Sequence, residues 1–274
     1  MSNLLTSAQN PRVKEALKLN NRRERDRSGL FLIEGFRELK RAIDGGVTIE
    51  SLFICPELFL GSNEQALIDQ SRVRPWRCSV SVFEKLSYRD RPDGLVAVAV
   101  QMKSSLEMLS KKIVAKKTPL IVVAEAIEKP GNLGTILRSA DAAGADGVIV
   151  CDRCTDIYNP NVVRASVGTL FTLPVIEDST DEVFSWLKEH QIRIAAATPS
   201  AQAMFTEIDL SGPIAIAVGT EQLGLSDRWM CAADEQVRIP MHGVADSLNV
   251  ATATTLLLYE VVRQRGAHGR CLRG

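Results

Sequence analysis

The sequence predicts an α/β protein, in which a C-terminal, mostly parallel sheet with helices on both faces follows a smaller α/β domain. Three observations carry this. Short, almost wholly apolar runs such as Leu120–Ala124 and Ile214–Val218 read as strands buried on both faces. They alternate with helix-length segments, the order of a parallel sheet with crossover helices. Composition shifts over residues 103–118, where Ser104-Ser105 opens a short amphipathic piece that Lys111-Lys112 and Lys116-Lys117-Thr118-Pro119 close. The expected division is residues 1–103, a linker at 104–118, and residues 119–274.

In the first domain Asn10-Pro11 begins a turn, and a charged helix is expected to about Arg27. Residues 29–35 form a short strand closed by Gly35. Phe36, Leu39, Ala42 and Ile43 recur at helical spacing. Val47–Cys55 and Val80–Phe83 read as strands around a helix near Glu64–Ser71, and Leu95–Val100 as a buried strand. The second domain is expected to hold strands at 120–125, 147–151, 192–197, 214–218 and 236–239. Its helices are expected at 133–143, 159–166, 181–190, 226–232 and 247–265. Ligands of such sheets bind beyond the carboxyl ends of the strands.

Bulk properties narrow the function. Lys plus Arg and Asp plus Glu both number 33, so the chain as a whole is neutral. Charge is uneven: residues 12–41 carry ten Lys/Arg (12, 14, 18, 22, 23, 25, 27, 37, 40, 41) against five acids (15, 24, 26, 34, 38). Arg263, Arg265, Arg270 and Arg273 give the tail four arginines and no acid. Basic ends on a neutral body suit a local nucleic-acid contact, although solvated helix faces alone account for the charges. The apolar runs are too short to cross a bilayer, and Met1-Ser2-Asn3-Leu4 lacks a signal-peptide pattern. A cytoplasmic location without a membrane partner is expected. Cys151-Asp152-Arg153-Cys154 is a lone CxxC, and His190, His242 and His268 do not complete a zinc pattern, so no metal is expected.

Three loops follow apolar strands. In Glu128-Lys129-Pro130-Gly131-Asn132-Leu133-Gly134 a tight turn opens a helix. Asn132 is placed as its N-cap, Leu133, Ile136, Leu137 and Ala140 form its apolar face, and Arg138 lies off the centre of that stripe, where it can reach back toward the loop. Taken alone this is a capped helix. It lacks the Walker Gly-Lys-Ser/Thr and the Rossmann glycine spacing, which counts against a nucleotide hydrolase. Gly219-Thr220-Glu221-Gln222-Leu223-Gly224-Leu225-Ser226 puts a carboxylate just past a buried strand, with Ser226 as a helix cap. Glycine there lets a flat ligand approach the backbone. In Ile239-Pro240-Met241 through Ser247-Leu248-Asn249-Val250, Asp246 or Ser247 suffices for capping, leaving Asn249 without a structural reason.

Asn132-x-Gly134-x-x-x-Arg138, Gly219-Thr220-Glu221 with Gly224, and Ile239-Pro240-Met241 with Ser247-Leu248-Asn249-Val250 resemble, in order and spacing, the three motifs of the SpoU (TrmH-type) RNA 2′-O-ribose methyltransferases. Phe31-Leu32-Ile33-Glu34-Gly35 and Arg37 are similar to that family's substrate-binding domain, so the resemblance covers nearly the whole chain. It implies a SPOUT domain with a deep trefoil knot at 119–274 and a ribosomal-protein-like RNA-binding domain at 1–103. It also implies S-adenosylmethionine as cofactor, contacted by Thr198, Gly219, Ile239 and Leu248, and a homodimer formed through the C-terminal domain. RNA is the implied partner, ribosomal 23S RNA ahead of tRNA, and DNA is not. Arg138 is the implied activator of the ribose hydroxyl, with Asn132, Glu221, Ser247 and Asn249 as the polar residues around it. Arginine stays protonated, which favours a phosphate clamp over a base. The alternative is an RNA-binding homologue without catalysis, and the presence of every motif residue argues against it.

Overall fold

The computed structural model describes residues 4–152 and 155–267. The first elements are β1 (Leu4–Leu5), α1 (Pro11–Lys18), α2 (Arg22–Ser28), β2 (Leu30–Glu34), α3 (Phe36–Asp44) and β3 (Ile49–Ile54). Then come α4 (Glu64–Ser71), β4 (Trp76–Cys78), α5 (Val80–Leu86), β5 (Leu95–Val100) and α6 (Leu106–Ile113). The sequence continues with β6 (Leu120–Glu125), α7 (Pro130–Ala142), β7 (Gly147–Cys151), α8 (Pro160–Ala165), β8 (Val175–Asp178) and α9 (Thr180–Glu189). It closes with β9 (Arg193–Ala197), β10 (Ala203–Met204), β11 (Ile214–Val218), α10 (Asp227–Ala232), β12 (Glu235–Arg238) and α11 (Val250–Ala267).

Two compact units form, Met1–Met102 with Asp156–Thr172, and Lys103–Thr155 with Leu173–Gly274. The sequence places residues 156–172 in the second domain, whereas in the structure they pack with the first unit. Asp156 takes the buried Arg25 guanidinium at 2.7 Å (Nε) and 2.6 Å (Nη2), and Tyr158 and Phe171 lie against Phe31. Burying this segment satisfies an arginine that is 1 % exposed.

The first unit carries a five-stranded mixed sheet, β1-β4-β3-β5-β2. Here the structure corrects two expectations. The charged helix is two helices, because Asn21 caps a fresh start at Arg22 through its side chain. Val80–Phe83 is helical rather than extended. Val82, Phe83 and Leu86 turn one helical face to the core, and the strand is the preceding Trp76–Cys78. Two valines around a serine mimic strand alternation in so short a run.

The second unit is a seven-stranded, all-parallel sheet, β10-β12-β9-β11-β6-β7-β8. Strands β6, β7 and β11 coincide with the sequence expectation, and β8 and β10 add to it. The central strands are buried along their whole length, as a doubly covered sheet requires. Ile121, Val123, Ala215 and Ala217 join one core with α6, α9 and α10. α11 packs against α7 and β11. Val218 pairs with Ala124, Ala217 with Ala196, and Ala197 with Val237, so the carboxyl ends of β6, β11, β9 and β12 share one edge. Among the described residues no helix is long and apolar enough to cross a membrane.

Candidate active site

The three loops meet at that edge. α7 begins at Pro130, which needs no N–H partner at the first helical position. Lys129 stands at the N-cap and Asn132 lies in the first turn, so Asn132 is not the cap expected from the sequence. Its amide is used elsewhere: Nδ2 donates to Glu221 Oε1, and Oδ1 accepts from Asn249 Nδ2 at 3.1 Å. One side chain thus links the loops after β6, β11 and β12.

Asn249 has two duties. Its Oδ1 accepts from the N–H groups of Ala251 (3.0 Å) and Thr252 (3.4 Å), making it the N-cap of α11. The helix therefore opens at Val250, three residues later than expected, and the cap supplies the structural reason for Asn249 that the sequence does not show. The same amide is left free to hold Asn132. Glu221 Oε2 is buried without a hydrogen-bond partner. A buried, unpaired carboxylate oxygen is costly unless a ligand donor completes it.

The loop after β11 is held tightly. Thr220 and Gly224 exchange backbone hydrogen bonds of 3.0 and 3.1 Å, and Gly224 sits at φ +71°. A Cβ on Gly219 would lie 2.1 Å from Gly224 O, so only glycine fits there. Ser226 N and Oγ donate to Glu125 at 2.7 and 2.6 Å. Ser226 precedes α10 but makes no side-chain cap, contrary to expectation. Glu125 is 4 % exposed, and no motif in the sequence marks it. The usable signal was an acid ending an otherwise apolar strand, since a buried carboxylate must have partners.

Thr198, Gly219, Ile239 and Leu248 all line one cavity of about 650 Å³, and Glu221 and Ser247 border it as well. This volume suits a small-molecule site. Ser247 is exposed, donates to the Asp246 carboxylate at 3.4 Å, and stays outside the Asn132–Glu221–Asn249 chain. Arg138 is exposed and makes no hydrogen bond or ion pair with the described residues. Six residues of helix put it about 9 Å along the axis and about 120° around from Asn132. Leu133, Ile136, Leu137 and Ala140 are fully buried, as expected. Within a single chain the structure therefore gathers Asn132, Glu221 and Asn249, and leaves Arg138 and Ser247 apart.

The model of the SpoU rRNA methylase family matches residues 119–259, the span that contains this site. The chain belongs to the SpoU family. A substrate-binding domain of the kind described as MRM3-like matches residues 10–97 of this SpoU protein. It is 35 % identical to a 23S rRNA (uridine(2479)-2′-O)-methyltransferase of Streptomyces viridochromogenes, over 90 % of this chain and 87 % of that one. A solved RNA 2′-O ribose methyltransferase is 44 % identical, with a TM-score of 0.85 over 96 % of this chain and 99 % of the other. An AdoMet-bound rRNA methyltransferase from Sinorhizobium meliloti is 30 % identical, with a TM-score of 0.85 over 95 % and 97 %.

Two features of this SpoU unit lie off the site. Burial pushes the Cys151 thiol up to about 12, and Cys154 lies outside the described residues. Among the described residues no group of three His, Cys, Asp or Glu is placed to hold a metal ion.

Proposed function

We propose that the protein transfers the methyl group of S-adenosylmethionine to a ribose 2′-hydroxyl of RNA, with 23S ribosomal RNA as substrate. The observation that carries this reading is the Asn132–Glu221–Asn249 hydrogen-bond chain beside the cavity lined by Thr198, Gly219, Ile239 and Leu248. Those four residues would hold the cofactor, which supplies an electrophilic methyl on a sulfonium. The chain's own residues bring the hydroxyl into line and neutralise the charge that develops on its oxygen. Gly219 lets the backbone of Gly224 pack against it and so closes the loop that borders the cavity, and Glu221 Oε2 offers a buried acceptor. Asn132, itself held by Asn249, fixes that carboxylate, and Ser247 at the rim is free to meet the RNA. Arg138 keeps its charge, so it clamps the neighbouring phosphate and stabilises alkoxide character while the proton passes to solvent.

The placement of Arg138 supports a homodimer through the C-terminal domain, with Arg138 of one protomer serving its partner's site. Leu256 and Tyr259, 41 % and 49 % exposed, lie on one face of α11 where a second copy would bury them. Family membership supports a trefoil knot through the loops after β9, β11 and β12. Action on ribosomal RNA would place the protein in the cytoplasm.

The test is incorporation of labelled methyl into 23S RNA isolated from a strain lacking the gene, with tRNA as a parallel substrate. Arg138→Ala should abolish transfer and leave cofactor binding intact. Full activity in that variant would remove Arg138 from the mechanism, and incorporation into tRNA alone would reassign the substrate.

A further inference from the structure

The first unit holds a groove of about 480 Å³ unrelated to the cofactor cavity. Its floor is apolar, built from Phe53 and Val98 on the sheet and Ala16 and Leu19 on the α1 side. Its wall carries a stacked pair, with the Arg12 guanidinium carbon 4.1 Å from the centroid of the half-buried Trp76 ring. Glu50 and Ser51 stand at its lip as hydrogen-bonding groups. An apolar floor, a planar stacking pair and a few polar groups at the edge match the demands of a nucleobase splayed out of a strand.

The groove's own lining is balanced, Arg12, Lys18 and Arg27 against Glu15, Glu24 and Glu50, and the cationic excess lies along α1. On α1, Arg12, Lys14 and Lys18 are exposed and make no ion pair with the described residues, against a single acid, Glu15. A row of free cations beside a stacking platform is what a single strand needs, because its phosphates track the cations while a base stacks. We propose that this groove binds one unpaired nucleobase of the RNA substrate, stacked on Arg12 and Trp76, with the flanking phosphates on Lys14 and Lys18. The proposal rests on the RNA methyltransferase reading and names a contact that reading leaves open. Glu50 accepts from base N–H groups, which favours a base presenting donors on its exposed edge.

The test uses the full-length protein and mixed-sequence single-stranded RNA decamers carrying one 4-thiouridine. Light-induced cross-links should map to the peptides containing Arg12 and Trp76. Trp76→Ala should weaken decamer binding about 5- to 150-fold, the loss of one stacked base, without changing the salt dependence. Lys18→Ala should lower the slope of log affinity against log salt by about 0.7. Trp76→Phe, which keeps a stacking ring, should retain most of the affinity, and an unchanged urea-unfolding transition of the first unit in each variant confirms its fold. Unchanged decamer binding by Trp76→Ala, or no decamer binding by the wild type, overturns the proposal. So does a Trp76→Ala defect confined to assembled ribosomal particles, which would assign the groove to a protein. If the wild-type protein methylates 23S RNA while these results are negative, the groove assignment alone fails.

Discussion

Replacing Gly219 with alanine isolates the contribution of the loop after β11. The added Cβ would sit 2.1 Å from Gly224 O, 2.2 Å from Gly224 C and 2.4 Å from Leu225 N. Real Cβ contacts stay beyond 3.0 Å, so the loop must open by about 0.9 Å, and every obstructing atom is backbone. Opening separates Thr220 from Gly224, whose two hydrogen bonds of 3.0 and 3.1 Å close the loop. Two such bonds are worth about 1–3 kcal/mol together. Thr220, Glu221 and Leu223 line the same cavity, so the loss should fall on ligand affinity more than on global stability. We expect S-adenosylmethionine affinity to drop about 5- to 150-fold by isothermal titration, with a shift of only a few degrees in the melting temperature. Gly131→Ala is the matched control. Nothing lies within 4 Å of its Cβ, its φ is not positive, and it occupies the first turn of α7. Alanine there should be neutral or stabilise by about 0.5–1 kcal/mol. Equal cofactor affinity in wild type and Gly219→Ala would refute the reasoning, as would equal damage from Gly131→Ala.

Ser226→Ala removes one of the two donors to Glu125, so cofactor KM should rise several-fold while RNA KM holds. A change in RNA KM alone would detach Glu125 from the cofactor loop. Arg25→Ala leaves Asp156 buried without its cation and should cost about 3–5 kcal/mol in urea unfolding; a loss under 1 kcal/mol would show that the pair is not a fixed point of the first unit. Burial holds the Glu34 carboxyl above its ordinary 4.5, opposed by hydrogen bonds from Ser87 and Tyr88 and by Arg89. The folded chain then binds this proton more tightly than the unfolded chain. Stability from this group is therefore fullest below pH 4.5 and falls as pH rises through the raised value. Glu34→Gln should gain stability relative to wild type as pH rises from about 4 to 7, and a pH-independent difference in denaturation midpoints would contradict this.

Much of the parallel sheet was legible because strands buried on both faces write themselves as unbroken apolar runs. Leu120–Glu125, Gly147–Cys151 and Ile214–Val218 needed no tertiary information. Short elements were less legible. Val80–Leu86 offers too few residues to separate a period of 2 from one of 3.6, and only its packing on the sheet settles it. The site shows the same contrast. Its residue types and order are local and match the family motifs, but a sequence cannot say which of several polar groups pair. Local capping rules assign Asn132 a cap and leave Asn249 without one. The structure takes the cap from Asn132, gives one to Asn249, and joins the two through atoms separated by more than a hundred residues.

By itself the sequence determined the α/β class, the three loops beyond strand ends, the family and the residue types of the site. Each of these follows from periodicity or from motifs a few residues long. Only the tertiary structure decided that residues 156–172 fold with the first unit and that Glu125 holds Ser226 at the end of the loop after β11. It alone placed Arg138 away from the Asn132–Glu221–Asn249 chain. Arg138 stands where the pitch of α7 carries it, and the first two share one physical reason. A buried charge or amide takes whichever partner the packed chain brings within hydrogen-bond reach, and that partner lies far off in sequence.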